Sequence, residues 1–239
     1  MNPKLPDVAP STASTASRTR SSAFSVAGRA ALVAAIAWLA EPIAFVAALM
    51  NPANMDPDQT LAEFWLAGLP FSYLVGVGEI VFGVAIGLTV FAAEAARPIP
   101  ETRRYTVSAA RALGLLAGAA MIVAGAVQLT GNGLAGMALA QIPVEDEGTR
   151  WLARQSFMVG HEALRLTACI GFAAWLVTLA RNGRSDGLIG RGVAITIIIA
   201  ATLIALPGAA TGLLTGMNLV LLALIPLAIS FLRRARIGA

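Results

Sequence analysis

The sequence predicts an all-α polytopic integral membrane protein, a bundle of six transmembrane helices with both termini cytoplasmic. Three observations predict it: the composition, six apolar runs of bilayer length, and the segregation of basic residues to one side. The chain has 239 residues, 57% hydrophobic and 13% charged, with mean hydropathy +0.76. A soluble domain has about 45–50% apolar and about 25% charged residues. The 13 acidic and 17 basic side chains are too few to cover a soluble core of this size, which argues against a soluble enzyme.

Residues 1–28 are rich in Ser, Thr, Ala and Pro and carry Lys4, Arg18 and Arg20 without an apolar run, the composition of a disordered basic cytoplasmic tail. A six-helix transmembrane domain is expected over 29–232, and a short basic cytoplasmic tail over 233–239. The first span, Ala30 to Met50, is long enough to cross a bilayer and contains Glu41, so it reads as a span and not as a cleaved leader. The others are Pro70 to Ala95, Ser108 to Thr130, Gln155 to Ala180, Leu188 to Leu206 and Thr211 to Leu232. Each is near the length that crosses about 30 Å of hydrocarbon at about 1.5 Å per residue.

Pro207 and Gly208 are expected to end the fifth helix and open a tight antiparallel hairpin into the sixth. Asn51 to Leu69 reads as a turn-rich stretch followed by a short interfacial helix around Trp65. The apolar patch within 131–143 is too short to span and is expected to be interfacial or re-entrant. Gly83 with Gly87, and Gly114 with Gly118, have the GxxxG spacing that lets helix backbones approach closely in lipid.

Lys4, Arg18, Arg20, Arg29, Arg97, Arg103, Arg104, Arg111, Arg181, Arg184, Arg191, Arg233, Arg234 and Arg236, fourteen of the 17 basic residues, fall on one side of these spans. Asp56, Asp58, Glu63, Glu145, Asp146 and Glu147 fall on the other. The basic side is expected to be the cytoplasmic one. The pI of about 10.2 is therefore a topology signal, and the expected partner is the lipid bilayer, with no nucleic acid.

Charged groups in hydrocarbon cost at least about 2.5–3.5 kcal/mol at a helix centre and require a partner or a role. Five ionisable residues sit at that depth: Glu41, Glu79, His161, Glu162 and Arg165. Glu41 and Glu79 lie about 14 Å inward of the outer ends of their helices, and Glu162 about 16 Å. The three helices can thus meet in one polar layer. Glu162 and Arg165, three apart, can pair locally, and Pro42 removes the helical bond to the Trp38 carbonyl beside Glu41.

Three readings of the layer follow: a structural or small-ligand-binding network in a non-enzymatic protein, a proton-coupled small-solute transporter, or an acid–base enzyme acting on a lipid-soluble substrate. The first is favoured, with the identity of any ligand open. No cofactor or metal is expected. The single histidine cannot give bis-His haem ligation, the single cysteine, Cys169, excludes a CxxC site, and the single lysine, Lys4, lies outside the spans.

The centre of the chain, with Glu79 in GEIVFGVAIGL, Arg111 opening the third helix and an aromatic- and His-bearing fourth helix, resembles a bacterial six-helix membrane family, domain of unknown function 4386. The resemblance spans Leu74 to Leu232. It implies a multi-pass bacterial membrane protein and brings no activity with it.

Overall fold

The computed structural model describes residues 12–51, 61–97, 101–141, 146–211 and 219–237. Its regular elements are all helices: α1 (Thr12–Trp38), α2 (Ala40–Leu49), α3 (Leu61–Ala95), a 3-10 turn (Glu101–Arg103), α4 (Arg104–Gln141), α5 (Glu147–Ser185), α6 (Arg191–Thr211) and α7 (Val220–Ile237). Among the described residues four helical stretches are long and apolar enough to cross a membrane: Ser17–Ala48, Pro70–Ala95, Glu101–Gly131 and Val159–Ser185. Arg191–Ala205 is apolar but shorter. Half-exposed Ile36, Ile43, Val84, Leu88, Val123, Ile170 and Ile199 surround the bundle, as expected of helices facing lipid and not water.

Packing follows a closed order: α1 lies on α3, α3 on α4, α4 on α5, α5 on α6, α6 on α7, and α7 returns to α1. The interior is filled by Trp38, Phe82, Phe172, Trp175, Leu176 and Phe231, each almost fully buried. Lipid offers no hydrophobic force between helices, so backbone approach supplies much of the contact. It is closest between α3 and α4. A Cβ on Gly83 would lie 2.5 Å from the Gly118 carbonyl oxygen, one on Gly118 2.7 Å from that of Gly83, and one on Gly125 2.5 Å from that of Gly76. Of the expected GxxxG pairs, Gly83, Gly114 and Gly118 are packed against neighbours, whereas nothing lies within 4 Å of a Cβ built on Gly87.

Several expectations are corrected. The segment taken for a disordered tail is helical from Thr12 onward. It is held by the other end of the chain: Phe24 stacks on Phe231 with centroids 6.0 Å apart, Ser21 Oγ donates to the Ala235 carbonyl at 2.6 Å, and Gly28 fits against Leu232. By the same contacts the basic C-terminal segment is helix to Ile237. An Ala- and Ser-rich stretch without Pro after Pro10 can join a helix once a partner buries one face.

The helix over 61–69 is not a separate interfacial element but the start of α3, with Pro70 inside it; the turn-rich part, 52–60, lies outside the described residues. The patch within 131–143 is likewise the end of α4 as far as Gln141, since helix-interior glycines such as Gly131 and Gly133 cost only about 1 kcal/mol each. Pro207 and Gly208 do not end α6, which runs to Thr211; residues 212–218 are outside the described set. The first span is interrupted at Leu39, the N-cap of α2, which has no side-chain cap.

Two ends are capped in ways the sequence explains. Asp146 Oδ1 accepts from Thr149 N at 3.1 Å at the start of α5, and these hydrogen bonds hold its exposed carboxyl below the usual carboxylate range. At the other end, Gly187 adopts φ +65°, and Leu188 N donates to the Gly183 carbonyl at 2.7 Å, a glycine-terminated turn into α6.

Candidate functional site

The break at Leu39 makes Glu41 the second residue of α2, near the inner end of that short helix. Glu79 lies mid-way along α3 beside Gly78, whose missing side chain admits Ala37 and Ala40 of the first span. On α5, His161 and Arg165 are one helical turn apart, with Glu162 on the adjoining face. The structure brings all five side chains together.

Arg165 is the hub. Its NH2 donates to Glu41 Oε2 at 2.7 Å, its Nε lies 3.5 Å from Glu79 Oε1, and its NH1 lies 3.6 Å from Glu162 Oε1. The guanidinium also sits 5.3 Å from the Trp38 ring centroid, a stacking contact available to arginine and not to lysine. Only the Glu41 contact is a short charge-assisted hydrogen bond; the other two are ion pairs at longer range. The local pairing expected within α5 is therefore secondary to a pairing across the bundle.

His161 is the second link. Its Nε2 lies 2.9 Å from Glu79 Oε2 and 3.1 Å from Oε1, the geometry in which an Nε2–H donates to the carboxylate. Its Nδ1 is buried without a hydrogen bond, with Glu162 Oε1 3.5 Å away. The side chains of Glu79, His161 and Arg165 are 2%, 5% and 5% exposed, while Glu162 is 26% exposed. Glu162 is thus the most accessible group of the layer. Three carboxylic groups face one guanidinium and one imidazole, one acid more than there are bases.

A second buried cluster was missed by the sequence reading. Glu94, near the end of α3, accepts from Trp175 Nε1 at 3.2 Å and lies 3.3 Å from Arg97 NH1. Arg97 NH2 in turn donates to Asp186 Oδ2 at 2.9 Å in the α5–α6 turn, where Arg103 NH1 donates to Ser185 Oγ at 2.8 Å. Arg97 was counted only as one of the basic residues of the cytoplasmic face. The i, i+3 spacing of Glu94 and Arg97 was a legible signal for their pairing, but nothing local connects them to Trp175 or Asp186. Between the two clusters lie buried Phe82, Ile86, Cys169 and Phe172, an apolar section separating them by about 22 Å along α3.

Among the described residues no group of three His, Cys, Asp or Glu side chains is placed to hold a metal ion. No family model, no curated protein and no solved structure matches this chain.

Proposed function

We propose that the chain is a non-enzymatic, six-span protein of the bacterial plasma membrane with both termini cytoplasmic, whose polar layer ties α2, α3 and α5 together and takes up a small ligand of positive charge. The observation that carries this reading is the charge count of Glu41, Glu79, Glu162, His161 and Arg165. A purely structural network gains from neutrality in hydrocarbon; this one has one more acid than bases, and Glu162, its most accessible carboxyl, makes only the longer contacts of 3.5 and 3.6 Å.

Glu79→Gln and His161→Ala are each expected to lower folded yield in detergent, by destabilisation of about 1–3 kcal/mol, the first because it removes the charge that Arg165 and His161 face, the second because it leaves the buried Glu79 without its imidazole donor. Monodispersity on size exclusion and the melting temperature measure this. Wild-type values in both variants would remove the network from any structural role.

One observation favours a second reading, proton-coupled transport. Glu162, His161 and Glu79 form a series from a partly exposed carboxylate through an imidazole to a buried carboxylate, the order of groups in a proton relay. Proteoliposomes bearing the wild type are expected to dissipate an imposed pH gradient faster than empty vesicles, and His161→Ala to return the rate to that of empty vesicles. Equal rates for wild type and empty vesicles eliminate this reading and leave the first intact.

A further inference from the structure

We propose that the crevice between α1 and α3 binds one anionic phospholipid of the leaflet on the basic side, with an acyl chain along the crevice and the headgroup phosphate on Arg29. The inference requires that the bundle lie in a bilayer but is independent of what the polar layer does.

The crevice encloses about 420 Å³, within the range of about 300–1,000 Å³ of small-molecule sites. Its floor is thin because two buried alanines, Ala30 and Ala85, stand where larger side chains would fill it. Its walls are the half-exposed Val33, Val81, Val84 and Leu88. That surface suits a hydrocarbon chain and offers nothing to a polar solute.

Arg29 is the single ionisable residue lining the crevice. It is exposed and has no hydrogen bond or ion pair with another described residue. It lies twelve positions before Glu41, about 18 Å along the first span, which puts it where hydrocarbon meets headgroups on the basic side. A guanidinium at that level reaches the headgroup region, and phosphate is the anion there that matches its planar donor fork. The surroundings reinforce the sign. Ser21 donates to the Ala235 carbonyl, so the Arg233, Arg234 and Arg236 end of α7 lies about two helical turns from Arg29, further along the same side, and no carboxylate lines the crevice. An apolar helix of a second copy would fill the groove but leave Arg29 unmatched.

The test uses the full chain in nanodiscs of phosphatidylcholine with or without phosphatidylglycerol, with retained lipid counted by native mass spectrometry after release. Wild type is expected to keep one phosphatidylglycerol with a preference of about fivefold over phosphatidylcholine, the size set by one arginine near a membrane surface. Arg29→Gln is expected to abolish that preference while its melting temperature in phosphatidylcholine stays at the wild-type value. Val84→Trp, on the exposed wall, is expected to block retention of both lipids; should it fail to fold, the Arg29→Gln comparison decides alone. Equal retention of the two lipids by wild type, an unchanged preference in Arg29→Gln, or a dimer protecting the crevice in place of a lipid would each overturn the proposal.

Discussion

Replacement of Arg165 by leucine is expected to abolish recovery of folded protein. Its guanidinium is 5% exposed and serves Glu41, Glu79 and Glu162 at 2.7, 3.5 and 3.6 Å. Removing it leaves three carboxylates around one imidazole in an apolar bundle, and breaking a buried pair from one side costs about 3–5 kcal/mol. That is a large fraction of the about 5–15 kcal/mol that keeps an ordinary domain folded. Arg165→Lys is expected to rescue only part of the loss, since one ammonium cannot reach three carboxylates in a planar fork or stack on Trp38 as well. Adding Glu41→Gln to Arg165→Leu should recover some folded protein by removing one stranded charge. Detergent-solubilised yield and melting temperature across the three variants measure the effect; an Arg165→Leu protein as stable as wild type would show that the layer is wetter and weaker than its geometry implies.

The second large effect is a contrast between two glycines of one helix. Gly83→Ala places a methyl 2.5 Å from a backbone oxygen of α4, and a backbone cannot yield as a flexible side chain can. Forcing α3 from α4 opens the contact that the Gly76 and Gly125 approach shares. Overpacking of this kind costs about 1–3 kcal/mol, which exceeds the gain of up to about 1 kcal/mol from replacing a helix-interior glycine with alanine. Gly87→Ala meets nothing within 4 Å, so there the propensity gain stands alone. The melting temperature is expected to fall in the first variant and hold or rise in the second. Equal shifts would mean that α3 and α4 are not packed as described.

The glycine pattern also marks a limit of sequence reasoning. GxxxG spacing picked out Gly83, Gly87, Gly114 and Gly118 together, yet Gly76 and Gly125 make an equally close crossing without that spacing between them, and a Cβ on Gly87 would meet nothing although its backbone lies close to Gly118. Spacing gives the face of a helix, not the neighbour that meets it. The tail is a similar case. Its composition carries no apolar run, and what orders it is Phe231 and Ala235 at the opposite end of the chain. Local breakers misled in the other direction: Pro70, Gly131, Gly133, Pro207 and Gly208 all lie within helices, because a long helix anchored by its neighbours tolerates interior penalties of a few kcal/mol.

By itself the sequence determined the helical character, with apolar runs long enough to cross a bilayer, and it singled out Glu41, Glu79, His161, Glu162 and Arg165, because charge in an apolar run is costly wherever it occurs. Depth along each helix even placed them at one level. Only the tertiary structure decided who pairs with whom: Arg165 with Glu41, His161 with Glu79, Glu94 with Trp175, and Arg97 with Asp186. Those partners are 81 to 124 residues apart. A period of 3.6 residues fixes which face a side chain takes, while the rotation and order of packed helices fix what lies opposite it.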